Sequence, residues 1–115
     1  MKNYNLEERT LVFAKATRMF VKKLPRCTSN FEDGKQLIRS SGSIGANYIE
    51  ANEALSKKDF KMRMKISRKE AKETCYWLKL VDIRDDQNLE KERSALLDEA
   101  IQLLKIMSSI ILKAA

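Results

Sequence analysis

Two glutamate pairs, Glu50/Glu53 and Glu70/Glu73, recur at i,i+3, the spacing that sets both carboxylates on one helix face. In a bundle such pairs can bridge metal ions, but that chemistry uses Glu-x-x-His repeats, and the chain has no histidine. The same lack removes imidazole acid/base catalysis, Ser-His and Cys-His nucleophiles, and zinc sites with imidazole ligands. Cys27 and Cys75 belong to no CxxC and are too few for a disulfide framework or a metal cluster, so free thiols are expected. Neither a GxxxxGK[ST] loop nor a GxGxxG element is present to hold a nucleotide. The expectation is a non-enzymatic protein without cofactor or metal, in which Glu50 and Glu70 pair with Arg39 or Arg63 across packed helices.

The chemistry that stands out is cationic. The 115 residues carry a formal charge of +7, concentrated in residues 1–26 and 57–79, while the other two stretches are net acidic. Placed on a helical wheel from Lys57, the cations Lys57, Lys58, Lys61, Lys65, Arg68, Lys69, Lys72 and Lys79 fall within a sector of about 120° that no carboxylate enters. That one-sidedness suits a polyanion-binding face; a lysine-rich surface serving only solubility is the alternative. Phe60, Met64, Ser67, Ala71, Thr74, Leu78 and Val81 make the core stripe of the same helix. Met62, Ile66, Trp77 and Leu80 form a second apolar strip, expected between the acids and the core. It reads as a subunit contact, or else as burial beneath the termini or the first helix. Tyr76 falls among the lysines, where an exposed ring could stack on unpaired bases.

Four helices must position these groups. Leu6, Thr10, Phe13, Thr17, Phe20 and Leu24 predict a first helix ended by Pro25. Arg26 to Asn30 offers capping candidates for a second, whose seam runs through Leu37, Ser41, Ile44, Tyr48, Ala51 and Leu55. Its middle, Ser40 to Ala46, is built from poor helix formers, so either close packing uses the small residues or Gly42 marks a loop. Ser56 to Asp59 is a capping box for a third helix, predicted to reach about Arg84. Turn chemistry at Asp85 to Asn88 precedes a fourth, with a stripe from Leu89 through Leu96, Leu103 and Met107 to Ile111. Short connections favour an all-α, antiparallel up-and-down four-helix bundle, one domain over residues 1–115. No apolar run reaches the roughly 18 residues of a membrane span, and the polar start, Met1 to Arg9, lacks a signal core, so a cytoplasmic protein without membrane contact is expected.

Three blocks carry a resemblance: Arg39 to Ala51 as RS-x-x-SIGAN-x-x-EA, Ser56 to Phe60 as S-x-x-DF, and Lys69 to Leu78 as KEA-x-ET-x-YWL. Together they closely resemble the bacterial four-helix-bundle family of 23S rRNA intervening-sequence proteins, over essentially the whole chain. The resemblance implies a ring, with homopentamers the expected form, and kinship with the accessory variability protein of diversity-generating retroelements, a basic barrel that binds nucleic acid and a reverse transcriptase. It brings no catalytic residues. Ser43, Ile44 and Asn47 of the motif are expected to be structural, with Asn47 tying the second helix to a neighbouring backbone or to the third helix.

The functional expectation is binding of RNA or DNA through phosphate contacts, by Lys57, Lys61, Lys65, Arg68, Lys69 and Lys72, with Arg18, Lys22 and Lys23 of the first helix extending the patch. The alternative is a structural adaptor that grips a protein partner, such as a reverse transcriptase or an acidic protein.

Overall fold

The computed structural model describes residues 5–114; Met1 to Tyr4 of the polar start lie outside them. The described residues form four helices and no strand: α1 (Leu6–Lys23), α2 (Thr28–Asn52), α3 (Lys57–Leu80) and α4 (Gln87–Lys113).

Each helix begins and ends for a local reason. Asn5 Oδ1 accepts from the Glu8 N–H at 2.8 Å to cap α1, and Pro25 prevents its continuation past Leu24. Ser56 Oγ accepts from Asp59 N–H at 3.0 Å, as the capping box predicts for α3. Asp86 caps α4 by accepting from the N–H groups of Asn88 and Leu89.

Helix α2 departs from expectation at both ends. Its N-cap is Cys27, whose side chain makes no capping hydrogen bond. Asn30, one of the expected capping residues, is buried and does something else. Its Nδ2 donates to the carbonyls of Pro25 and Asp82, at 2.9 and 2.8 Å, while its Oδ1 accepts from the Asp82 N–H at 2.9 Å. At the other end α2 stops at Asn52, so Leu55 leaves the predicted seam and is 99% exposed. Helix α3 likewise stops at Leu80, short of the predicted Arg84. Arg84 and Asp85 take left-handed φ values of 51° and 59°, which turn the chain without the glycine that ordinarily marks such a break.

The glycine- and serine-rich middle of α2 is unbroken helix. A Cβ on Gly45 would sit 2.7 Å from Thr10 Oγ1, so α1 approaches α2 closely enough to require glycine there. On the side facing α3, Ser67 Oγ donates to the Ile44 carbonyl at 2.8 Å, and Thr74 Oγ1 meets Ser40 Oγ at 2.9 Å. Small residues that cost helix propensity thus permit contacts on two flanks. Within the motif, Asn47 Nδ2 donates to the Ser43 carbonyl, and its Oδ1 accepts from Arg63 of α3 at 3.4 Å.

Helices α1 and α3 each pack on both α2 and α4 and lie diagonally across the bundle from one another. The core between them is filled by Phe20, Leu37, Ile44, Met64, Leu78, Leu103 and Met107, all fully buried. Every buried side-chain nitrogen and oxygen among the described residues has a hydrogen-bond partner.

The two glycines in the middle of α2 should respond oppositely to alanine. Gly42→Ala meets only the Arg18 guanidinium, at 3.7 Å, and should stabilise the fold by up to about 1 kcal/mol through helix propensity. Gly45→Ala must displace Thr10, and overpacking of about 1–3 kcal/mol should outweigh the same gain. Urea melts of the two variants check both signs.

Candidate nucleic-acid interface

The electrostatics of α3 are organised by a residue of α2. Arg39 Nη1 donates to Glu70 Oε2 at 2.8 Å, and its Nη2 pairs with Glu73. The Glu70 side chain is 8% exposed and that of Arg39 47%, so the guanidinium supplies the countercharge for a buried carboxylate. The Trp77 indole N–H donates to Glu73 Oε2 at 2.9 Å. That bond foremost, with the Arg39 guanidinium behind it, holds the Glu73 carboxyl below the usual carboxylate range. Of the expected carboxylate pairings, Arg39 with Glu70 is present, whereas Arg63 bonds Asn47.

This clamp holds two of the three acids of α3 against α2. The cations Lys57, Lys58, Lys61, Lys65, Arg68, Lys69, Lys72 and Lys79 form no ion pair among the described residues. Lys57, Lys65, Lys69 and Lys72 are exposed, and Lys61 and Arg68 are half-buried. Lys58, Lys61, Lys65 and Lys69 share an open groove of about 630 Å³ with Met62, Ile66, Ser56 and one acid, Asp59. Tyr76 is 58% exposed, its ring held edge-on to Trp77 with centroids 5.1 Å apart.

The α1 cations are not brought to this face. Arg18 lies beside Gly42 of α2, Lys22 is exposed, and Lys23 Nζ is paired with Glu92 of α4 at 2.9 Å. Since α1 and α3 are diagonal in the bundle, with α2 and α4 between their outer faces, the α1 cations do not sit beside those of α3 within one chain. The second apolar strip also differs from its expected position. Glu70 is more deeply buried than Met62 and Leu80, which are exposed, so the strip does not separate the acids from the core. Trp77 is half-buried and packs against the core cluster, with its polar atom already bonded to Glu73. The sequence reading included Arg39 with Glu70 and missed the second contact, with Glu73; an arginine on the motif helix, with acids at i,i+3 on the next, was the available signal.

Both cysteines are free. Burial pushes the Cys75 thiol up, while the Ser29 hydroxyl, then the Asn30 backbone N–H, lower that of Cys27.

Replacing Arg39 by methionine should cost about 2 kcal/mol, less than the roughly 3–5 kcal/mol of a fully buried pair because the guanidinium is half exposed. Folding lowers the Glu73 pKa from its ordinary 4.5, so its contribution is complete above that pH and is lost as pH falls through the lower folded value. Glu73→Gln should therefore flatten the acid limb of the stability profile, as read from urea melts across that range.

The match to known proteins spans the helices that build this face. A model of the 23S rRNA-intervening sequence protein family matches residues 2–109. A crystal structure of a protein of unknown function from the S23 ribosomal protein family of Bacteroides thetaiotaomicron has a TM-score of 0.79 and 35% identity, covering 91% of this chain and 93% of that one. Comparison with curated proteins returned no match. With a family model that covers α1 to α3 and most of α4, and a solved relative of the same fold, the chain belongs to the 23S rRNA-intervening sequence protein family.

Proposed function

We propose that this protein is a non-enzymatic, oligomeric bundle that binds RNA or DNA through the phosphate backbone. The observation that carries this reading is the run of α3 cations left without ion pairs while Arg39 and Trp77 hold Glu70 and Glu73 elsewhere. Lysine supplies point charges rather than the fixed bidentate forks that read bases, so recognition is sequence-tolerant and salt-dependent. Lys57, Lys61, Lys65, Arg68, Lys69 and Lys72 make the phosphate contacts in this reading, and Tyr76 offers a face to an unpaired base.

We further infer one domain whose helices alternate in direction. Contacts between α2 and α3 pair Arg39 with Glu70, Ile44 with Ser67 and Asn47 with Arg63, so that one number rises as the other falls. Arg9 with Glu99 and Lys23 with Glu92 follow the same rule for α1 and α4. A homopentameric ring is implied by the family resemblance; Met62, Ile66 and Leu80 offer apolar area for such contacts, with Trp77 behind them. No helix of the described residues is long and apolar enough to cross a membrane; the reading takes the protein as a cytoplasmic one. The kinship with retroelement accessory proteins belongs to the alternative, in which a protein such as a reverse transcriptase is the primary partner.

Titration of a mixed RNA and DNA pool tests the reading. Affinity should fall with salt at a log–log slope of about −0.7 per phosphate contact on single strands and about −0.9 on duplex. Reversing Lys61, Lys65, Lys69 and Lys72 to glutamate should abolish binding. Tyr76→Ala should weaken single-stranded binding by about fivefold or more and leave duplex binding unchanged. Absence of binding at low salt, or affinity indifferent to salt, rejects the proposal. A protein partner retained after nuclease treatment would favour the adaptor instead.

A further inference from the structure

A second cationic surface lies away from α3, at the corner where α1 gives way to α2. A groove of about 730 Å³ there is lined by Val21, Leu24, Pro25, Phe31, Gly34 and Ile38. Phe31 is 65% exposed, an unusual placement for a phenylalanine. Lys22, Arg26 and Lys35 line the same groove, and no carboxylate does. Lys35 Nζ stands 4.3 Å from the centroid of the Phe31 ring. Its exposed i,i+3 neighbour Glu32, at 3.8 Å, is a weak counterion, and Lys22 and Arg26 form no ion pair among the described residues.

The start of α2 opens beside these cations. Its first turn contains no acidic residue, so the helix itself supplies no carboxylate against the positive end of its dipole.

Apolar lining and cationic rim ask different things of a ligand. A nucleic-acid backbone would satisfy the cations and leave Val21, Pro25 and Ile38 facing water. A second lysine-rich helix would be repelled. An extended peptide that alternates acidic with aliphatic or aromatic residues meets both demands. We propose that this groove is a docking site for an acidic, apolar peptide segment of a protein partner, whose side chains seat against Val21, Phe31 and Ile38 and whose carboxylates face Lys22, Arg26 and Lys35. The site is separate from the α3 face and stands whether or not that face binds nucleic acid.

The test is fluorescence anisotropy of a labelled decapeptide that alternates glutamate with leucine around a central phenylalanine, titrated with the full chain. Two controls replace its glutamates by lysine or its apolar residues by serine. The acidic, apolar peptide should bind at least about tenfold tighter than either control. Arg26→Glu combined with Lys35→Glu, and separately Phe31→Ala, should each weaken it about tenfold. All three positions are exposed, so the variants should keep the parent's melting temperature, native mass and RNA affinity. Equal binding of the three peptides, or no saturable binding, overturns the proposal. A fall in native mass in Phe31→Ala assigns the groove to a second copy of the chain, and a loss of RNA affinity in the charge variant assigns it to nucleic acid; either result overturns it as well.

Discussion

One guanidinium organises the charge of this molecule. Arg39 reaches from α2 to two carboxylates on α3, one of them buried, and the indole of Trp77 steadies the second from its own helix. An ionised carboxylate in that position is tolerable only with a countercharge and hydrogen bonds, and Arg39 supplies both. The consequence reaches the opposite side of α3. Because Glu70 and Glu73 are engaged inward, they are not free to swing among the lysines as exposed i,i+4 partners would. A contact that belongs to bundle packing therefore sets the sign and density of charge on the outer surface.

A second constraint is distance between backbones. The Ser40 to Ala46 stretch is costly as an isolated helix, and its residues are chosen for what they leave out. Gly45 leaves room for Thr10 on one flank, while Ser40 and the Ile44 carbonyl receive hydroxyl contacts from α3 on the other. Close approach and polar satisfaction occur together, and this is how a core containing Thr10, Thr17, Ser40, Ser41, Ser67 and Thr74 stays free of orphaned groups.

Much of this was legible in the residues, and the exceptions share a cause. The α1 stripe, the Ser56 capping box and the α3 core face follow from period and cap chemistry, which are local. What failed depends on neighbours remote in sequence or on a break without its usual marker. The end of α3 carries no glycine or proline, so the left-handed pair Arg84 and Asp85 gave no warning. Asn30 looks like a cap because its partners are elsewhere, one of them 52 residues away at Asp82. For the candidate face, the wheel of α3 grouped its lysines into one sector, although Asp59 lines the groove beside them. A wheel drawn on one helix cannot say which helices adjoin, and so it joined the α1 cations to a face that they do not reach.

Asn30 also imposes an asymmetry along the length of the molecule. Three hydrogen bonds from one buried amide stitch the α1–α2 connection to the α3–α4 connection, so two hairpins that need not be in register are pinned at a shared pole. The far pole has no equivalent stitch among the described residues, and its α2–α3 turn holds Leu55 out in water. One amide thus gives the two ends of the bundle unequal numbers of cross-links between connections.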